Sequence, residues 1–248
     1  MHSDFIQDLV DEQVRRWEEQ KRASKLPFER RSGRLHGPMI AMSREYGALG
    51  ARVGRMVAKE LGFAFYDREI VEGIASAGQV RSVVVESVDE HGRGLIADWV
   101  AEFFEGQRMS ADAYVRHLST VLLSIAYHGR AVLVGRGACF LLDPSLTLRV
   151  RAHAPLEIRI QRVAESHNLS LDKARETVAE FDKARGDFIR KHFGREPGDC
   201  HGYDLMLDTG TIPLEACARI VSLAFRARFD RRVASRPAGT DGRVDPPR

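Results

Sequence analysis

Residues 38–62, PMIAMSREYGALGARVGRMVAKELG, place a glycine-bearing turn between a short apolar run and an amphipathic segment. The run MIAMS predicts a β-strand, and the segment that ends near Leu61 predicts a helix because its apolar residues recur at helical spacing. A strand that enters a helix through glycines is typical of a phosphate-binding turn, since the first N–H groups of the helix are free and its dipole is positive there. Gly47 and Gly50 would let the backbone approach phosphate oxygens closely.

This turn lacks the lysine and the hydroxyl that end the usual P-loop motif. Gly50 stands about where the lysine belongs, and Ala51 and Arg52 follow it. If a phosphate binds here, Arg44 and Arg52 are the nearby cations that could neutralise it. The turn alone is equally consistent with a tight strand-to-helix connection flanked by solvated arginines.

Strand and helix patterns alternate through the rest of the chain, which predicts an α/β fold with a parallel five-stranded sheet covered by helices on both faces. Residues 81–129 are predicted to be mostly helical, with a break at 90–94. A long charged stretch at 170–194 also predicts a helix. Further strands are predicted within residues 63–67, 130–138, 147–154 and 203–210.

The two ends of the chain differ from its centre. Residues 1–37 are predicted to form an N-terminal helix and a linker, before a domain at 38–229 and a disordered tail at 230–248. The helix carries apolar residues on one face, so it would lie on the core or on a second subunit, which leaves a homo-oligomer through this helix open.

Composition narrows the functional class. The 248 residues include 44% hydrophobic and 29% charged residues, and no apolar run is long enough to span a membrane. Three widely spaced cysteines fit neither a disulfide framework nor a zinc site, which indicates a reducing cytoplasm. The basic excess lies at the ends, where residues 226–248 hold seven Arg against three Asp. The slightly acidic centre argues against a nucleic-acid surface and against a membrane partner.

Several segments, taken together and in order, resemble the cytidylate kinase-like family, a branch of the P-loop nucleoside monophosphate kinases. They span roughly residues 38–226 and read AMSREYGALGARVGRMVAKELGFAFYDREIV, VLVGRGACFLL, LRVRAHAPLEIRIQRV, DKARGDFIRKHFG and YDLMLDTG. In that family the loop lysine is commonly already replaced, so its absence here is similar to a family trait. Leu49 departs from the family, which usually has glycine at that place.

The resemblance implies an ATP- and Mg²⁺-dependent kinase in the cytoplasm, with helical acceptor and lid regions beside the sheet. Its partners would be small-molecule nucleotides. Arg52, Arg185 and Arg190 would be catalytic. On pattern alone, Arg185 and Arg190 belong to a solvated helix face on which Asp182 and Asp187 pair with them at i,i+3 spacing. The resemblance implies that ATP is held by Ser43, Arg44, Gly47, Ala48, Gly50, Ala51 and Arg52.

The acceptor side is implied to involve Arg136 and Asp67, together with Asp182 and Asp187 of the lid. Arg136 follows a strand, where ligands bind in open α/β sheets. The family has aspartate after this arginine, whereas this chain has Gly137. Asp67 either orients the acceptor or binds magnesium through water, or it caps the next helix instead. No spacing of His, Cys and carboxylates predicts a metal site of the chain's own.

Three hypotheses follow from the sequence. The first is transfer of phosphate from ATP to a nucleoside monophosphate, with CMP or dCMP implied by the resemblance. The second is a non-catalytic nucleotide-binding or regulatory module of the same fold, because the loop lacks lysine and hydroxyl. The third is a kinase for another small acceptor, since residues 81–129 carry no base-recognition pattern.

Overall fold

The computed structural model describes residues 2–23, 38–106 and 113–229. The predicted linker and the predicted disordered tail at 230–248 lie outside the described residues. Within the described ranges, no helix is both long and apolar enough to cross a bilayer.

A five-stranded parallel sheet forms the centre of the molecule, in the order β2-β3-β1-β4-β5. β1 lies in the middle with β3 on one side and β4 on the other. The chain therefore adds β2 and β3 on one side of β1 and then β4 and β5 on the other side. In such sheets the crevice for ligands opens at the carboxyl ends of the strands at this point. The strands are β1 Met39–Arg44, β2 Ala64–Tyr66, β3 Ala131–Val134, β4 Thr147–His153 and β5 Leu205–Asp208.

Helices connect the strands and cover the sheet, so the predicted fold class is confirmed. The described helices are α1 His2–Ala23, α2 Gly50–Leu61, α3 Arg68–Ser76, α4 Gly78–Glu86, α5 Glu90–Gly106, α6 Ala113–His128, α7 Ala138–Leu141, α8 Leu156–His167, α9 Leu171–Phe193 and α10 Leu214–Phe229.

The break predicted at residues 90–94 is wrong in position. α5 already begins at Glu90, and the gap in the helical region falls before it. The Asp89 carboxylate accepts a hydrogen bond of 2.8 Å from the backbone N–H of Gly92. This bond satisfies a free donor of the first turn, so the helix starts in spite of its glycines.

Strand β1 alternates between two cores. Met39 and Ala41 pack with the helices from α3 to α7, whereas Ile40 and Met42 face α2 and α10. All four side chains are fully buried. This burial on both faces fixes the position of the β1 carboxyl end, where the glycine turn begins.

Helix α1 lies on the chain's own core. Ile6, Val10 and Trp17 are buried against the group that includes α3 and α4. The Trp17 ring stacks on His128 at 3.9 Å between ring centres. These three residues of the predicted apolar face therefore pack against the core of the same chain.

Candidate functional site

The glycine turn presents unused backbone donors at the start of α2. Gly47 has φ of +80°, and Leu49 has φ of +55° where it caps α2. Leucine in this left-handed conformation costs about 1 kcal/mol more than glycine, so it strains the loop. Among the described residues, no acceptor meets the N–H groups of Gly47, Leu49, Gly50 and Ala51. This part of the turn can therefore bind an anion.

The glycines of the turn are required by what lies beneath them. A Cβ at Gly47 would lie 2.7 Å from the carbonyl oxygen of Arg159. A Cβ at Gly50 would lie 2.8 Å from Cβ of Arg44 and 3.0 Å from Cβ of Ala152. The sequence interpretation, which gave both glycines to close phosphate approach, thus misses their packing against α8, β1 and β4.

Three arginines that sequence reasoning missed support the turn from β4 and α8. Arg151 donates 3.1 Å to the Ser43 hydroxyl, and Arg159 donates 3.2 Å to the carbonyl of Tyr46. Arg162 donates 3.5 Å to the carbonyl of Gly47. All three lie in the segment LRVRAHAPLEIRIQRV. The signal that could have found them is the density of arginines in a largely apolar strand and helix.

Glu45 links two of these arginines. Its carboxylate lies 3.5 Å from Arg151 and 3.3 Å from Arg159, and it accepts a further bond of 3.3 Å from the N–H of Ala154. Both arginines are largely buried, so the pairing offsets the cost of enclosing their charges. The first residue of the turn is thereby fixed to β4 and α8.

The end of β5 also fastens the turn. The Thr209 hydroxyl lies 2.7 Å from the carbonyl of Ala48, to which it donates, and the Thr209 carbonyl accepts 2.7 Å from Arg162. Asp208 accepts 2.7 Å from the N–H of Gly210. These contacts hold the turn against the end of β5.

Two cavities meet at the carboxyl ends of β1 and β3. We call the cavity of about 520 Å³ between the turn and α8 the outer cleft, and the one of about 140 Å³ between β3 and α9 the inner pocket. The outer cleft is lined by Tyr46, Gly47, Leu49, Gly50, Ala51, Arg52, Arg162, Ser166 and His167 among others. The inner pocket is lined by Ser43, Arg68, Arg136, Gly137, Cys139, Arg151, Asp182 and Phe188 among others.

Arg44, Glu45 and Arg185 line both cavities. Arg185 reaches this junction from α9, donates 3.5 Å to the carbonyl of Arg44, and lies 5.2 Å above the Tyr46 ring. Burial lowers the pKa of Arg185, and the charges of nearby arginines add to that effect. A predicted catalytic arginine thus lies where an outer and an inner ligand would touch.

Arg44 is the least compensated charge at the junction. Within the described part of the chain, neither a hydrogen-bond acceptor nor a carboxylate in ion-pair range meets its guanidinium. Burial, together with three neighbouring arginines, lowers its pKa to about 9. The group is therefore charged at neutral pH and lacks an anion.

Arg136 projects into the inner pocket from the turn after β3. Its φ is +52°, it pairs with Glu72, and its guanidinium lies 5.1 Å above the Phe188 ring. Burial lowers its pKa. Gly137 leaves room for the Phe193 ring, since a Cβ there would overlap that ring.

Three of the predicted residues serve other contacts, whereas Arg52 lines the outer cleft. Asp67 caps α3 by accepting 3.2 Å from the N–H groups of Glu69 and Ile70, which is the last of its predicted roles. Asp187 and Arg190 pair with each other at 2.9 Å outside both cavities. Arg52 is exposed on the rim of the outer cleft.

The cavities hold carboxylates, but arginines already engage Glu45 and Asp182 at 3.3 Å and 2.5 Å. Elsewhere in the described ranges, Asp199, Cys200 and His201 bring ligand atoms within 4.8 Å of one another, on the exposed surface. The described residues therefore fit phosphate groups well and a protein-held Mg²⁺ poorly.

Comparison with known proteins adds a family match. The model of the "Cytidylate kinase-like family" matches residues 39–211. Cytidylate kinase of Methanopyrus kandleri is 37% identical over 93 residues, which are 34% of this chain and 48% of the relative. Cytidylate kinase of Methanocaldococcus jannaschii is 31% identical over 107 residues, 41% of this chain and 59% of the relative. The chain thus spans about half the length of these curated relatives.

A solved structure supports the architecture. An uncharacterized protein from Eubacterium ventriosum superposes with a TM-score of 0.54 at 16% identity, covering 77% of this chain and 99% of that one. At this identity the likeness concerns the fold alone.

Proposed function

The chain belongs to the cytidylate kinase-like family, and we propose that it transfers the γ-phosphoryl group of ATP to a nucleoside monophosphate, CMP or dCMP. The observation that carries the proposal is the junction of the outer cleft and the inner pocket. Arg44 and Arg185 line both cavities, so a donor in one and an acceptor in the other would share their charges. Phosphoryl transfer depends mainly on such positioning and electrostatic stabilisation.

In this proposal the outer cleft takes ATP. The free N–H groups of the turn bind its phosphates, and Arg52 at the rim adds positive charge. The inner pocket takes the acceptor phosphate, for which Arg68 and Arg136 supply donors. Arg185 stabilises the charge on the transferring group, and α9 above it restricts the access of water.

Magnesium enters this proposal with the nucleotide. Mg²⁺ bound to the phosphates of ATP neutralises part of their charge and keeps several of its waters. Glu45 and Asp182 do not ligate the ion in this proposal. Both carboxylates pair with Arg159 and thereby hold the turn and α9 in place.

The experiment measures ATP consumption by the purified protein with Mg²⁺, while CMP, dCMP, UMP, AMP and GMP are supplied one at a time. Turnover that depends on one nucleotide supports the kinase proposal and names its acceptor. ATP binding by calorimetry without turnover contradicts it and favours a non-catalytic nucleotide-binding or regulatory module. The non-catalytic module is the second candidate function. It is favoured by Gly50 and Ala51, which stand where a P-loop has its lysine and its hydroxyl residue.

A kinase for another small acceptor would show ATP binding and turnover with a non-nucleotide. We also propose a cytoplasmic location, from the unpaired cysteines, and a homo-oligomer through α1, whose Phe5 is 58% exposed. Light scattering on the full chain and on Phe5→Ser tests the second of these. A monomeric mass for both proteins would contradict it.

A further inference from the structure

Positive charge exceeds negative charge at the junction of the cavities. Arg68 and Arg136 share the carboxylate of Glu72, the first at 3.6 Å. Arg185 lies 3.9 Å from Asp182, a distance at which the pair is weak. Arg44 lies among these arginines and adds a charge with no carboxylate in ion-pair range in the described residues. Clustered guanidinium groups repel one another, so this arrangement favours an incoming polyanion.

The shape of the fold makes room for the Arg44 side chain at this place. Arg44 is the last residue of β1, and its side chain passes Gly135, whose φ is +93°. A Cβ at Gly135 would overlap Nη1 of Arg44. Because Arg44 also lines both cavities, its guanidinium is open to a ligand on either side.

The position at which a P-loop would carry its lysine lies next to the Cβ atom of Arg44. Sequence spacing puts that lysine at Gly50, and a Cβ at Gly50 would lie only 2.8 Å from Cβ of Arg44. A side chain at residue 50 would therefore collide with Cβ of Arg44, and also with Cβ of Ala152 at 3.0 Å, so the helix start cannot carry the lysine while residue 44 carries a side chain. Both would start from nearly the same point, one from the helix and one from the strand.

We propose that Arg44 is the catalytic cation that replaces the P-loop lysine, binding the outer phosphates of the donor nucleotide from the strand side of the turn. The inference rests on the proposed function for its donor and for the transfer step. Arginine suits the task because its planar group forms two parallel bonds with phosphate oxygens, whereas lysine acts as a point charge. Arg44 remains protonated throughout, since its pKa of about 9 lies above neutral pH.

The test measures binding of Mg²⁺-tripolyphosphate, a phosphate chain without a nucleoside, by calorimetry on the full chain. Arg44→Met is expected to weaken binding by about 10²-fold, since loss of one partner of an enclosed charge pair weakens binding by about this factor. Arg44→Lys should keep most of the affinity. Arg226→Met is the matched control, because Arg226 lies on α10, 3.7 Å from Glu60, and lines neither cavity.

A second pair of variants keeps the test decisive if Arg44→Met loses structure. Arg44→Gln, which keeps a hydrogen-bonding side chain without the charge, should bind tripolyphosphate at least tenfold more weakly than Arg44→Lys. Circular dichroism confirms that each variant is folded.

The outcomes separate this inference from the proposed function. Unchanged tripolyphosphate binding in Arg44→Met, or equal binding in Arg44→Gln and Arg44→Lys, overturns the role of Arg44 while a kinase remains open. Binding that depends on Arg44 in a protein without turnover supports the phosphate site and contradicts the kinase. Failure of the unmodified protein to bind tripolyphosphate overturns the role of Arg44, whereas ATP turnover alone decides the kinase.

Discussion

The backbone N–H of Tyr46 donates to the Asp182 carboxylate over 2.8 Å and thereby joins the glycine turn to α9. Beside this bond the Tyr46 ring stacks on Phe181, with ring centres 4.4 Å apart and planes 8° from parallel. The same carboxylate accepts 2.5 Å from Arg159 of α8. The element proposed to hold ATP and the helix that carries Arg185 therefore form one unit, and a change at their contact should affect both.

Replacement of Asp182 tests this contact. Asp182→Asn is expected to lower the free energy of unfolding by about 2 kcal/mol, because the Arg159 guanidinium loses its charged acceptor in a partly buried site. Urea unfolding measures the change. Asp187→Asn is the control on the same helix, since Asp187 makes only exposed pairs with Lys183 and Arg190, and its stability should be nearly unchanged. Equal losses in the two variants would contradict the coupling.

The two predicted lid arginines should differ in turnover. Arg185 lines both cavities, so Arg185→Met is expected to lower kcat by about 10³-fold, the effect of losing a transition-state arginine. Arg190 pairs with Asp187 at 2.9 Å and with Glu196 at 3.1 Å outside the cavities. Arg190→Met should change kcat by less than about tenfold. Steady-state kinetics measure kcat for both variants. A comparable loss in the two would mean that Arg190 is also catalytic.

Gly47 and Gly62 form a matched pair for the turn. Both have positive φ, at +80° and +64°, but a Cβ at Gly62 meets nothing within 4 Å, whereas one at Gly47 meets Arg159. Gly62→Ala should cost about 1 kcal/mol from backbone conformation alone. Gly47→Ala should cost about 2 kcal/mol more, since it also displaces packed backbone. Thermal unfolding of the two variants gives the difference, and similar values would mean that α8 yields without strain.

The free energy of unfolding should depend on pH through the ionisation of Asp204. Burial raises the pKa of this carboxyl, but hydrogen bonds from Arg149 and the charge of Arg228 bring it below its ordinary value. A lowered folded-state pKa means that the ionised pair stabilises the fold above about pH 4, the ordinary value, and that this stabilisation is lost as the pH falls through the lower folded value.

Asp204→Asn should therefore destabilise the protein by about 1 kcal/mol at pH 7. Unfolding free energies of both proteins at several pH values provide the measurement. The difference between them should shrink as the pH falls below 4 toward 2. A constant difference across that range would mean that the Asp204 charge does not contribute.

The sequence predicts those features that depend on neighbours along the chain. The apolar run before the turn, the helix after it and the other strands follow from periodicity and glycine positions. The i,i+3 pair of Asp187 and Arg190 also forms as spacing predicts. Asp67 caps α3, which was one of the roles that local pattern allowed.

Contacts between distant segments escape this reasoning. Spacing pairs Asp182 with Arg185, yet its short ion pair is with Arg159, 23 residues earlier, and its other bond is to the turn. The neighbourhood of Arg44 depends on a glycine in another strand's turn, Gly135. Parallel pairing brings these residues together, and no local pattern records which side chains will meet.

The central claim is tested most directly by following the γ-phosphoryl group itself. ATP labelled at the γ-phosphate is incubated with the unmodified protein, Mg²⁺ and each of CMP, dCMP, UMP, AMP and GMP, and the nucleotides are separated. Our account predicts labelled CDP or dCDP, formed in proportion to protein and lost in Arg185→Met. Bound ATP without a labelled diphosphate from any of the five acceptors would contradict it.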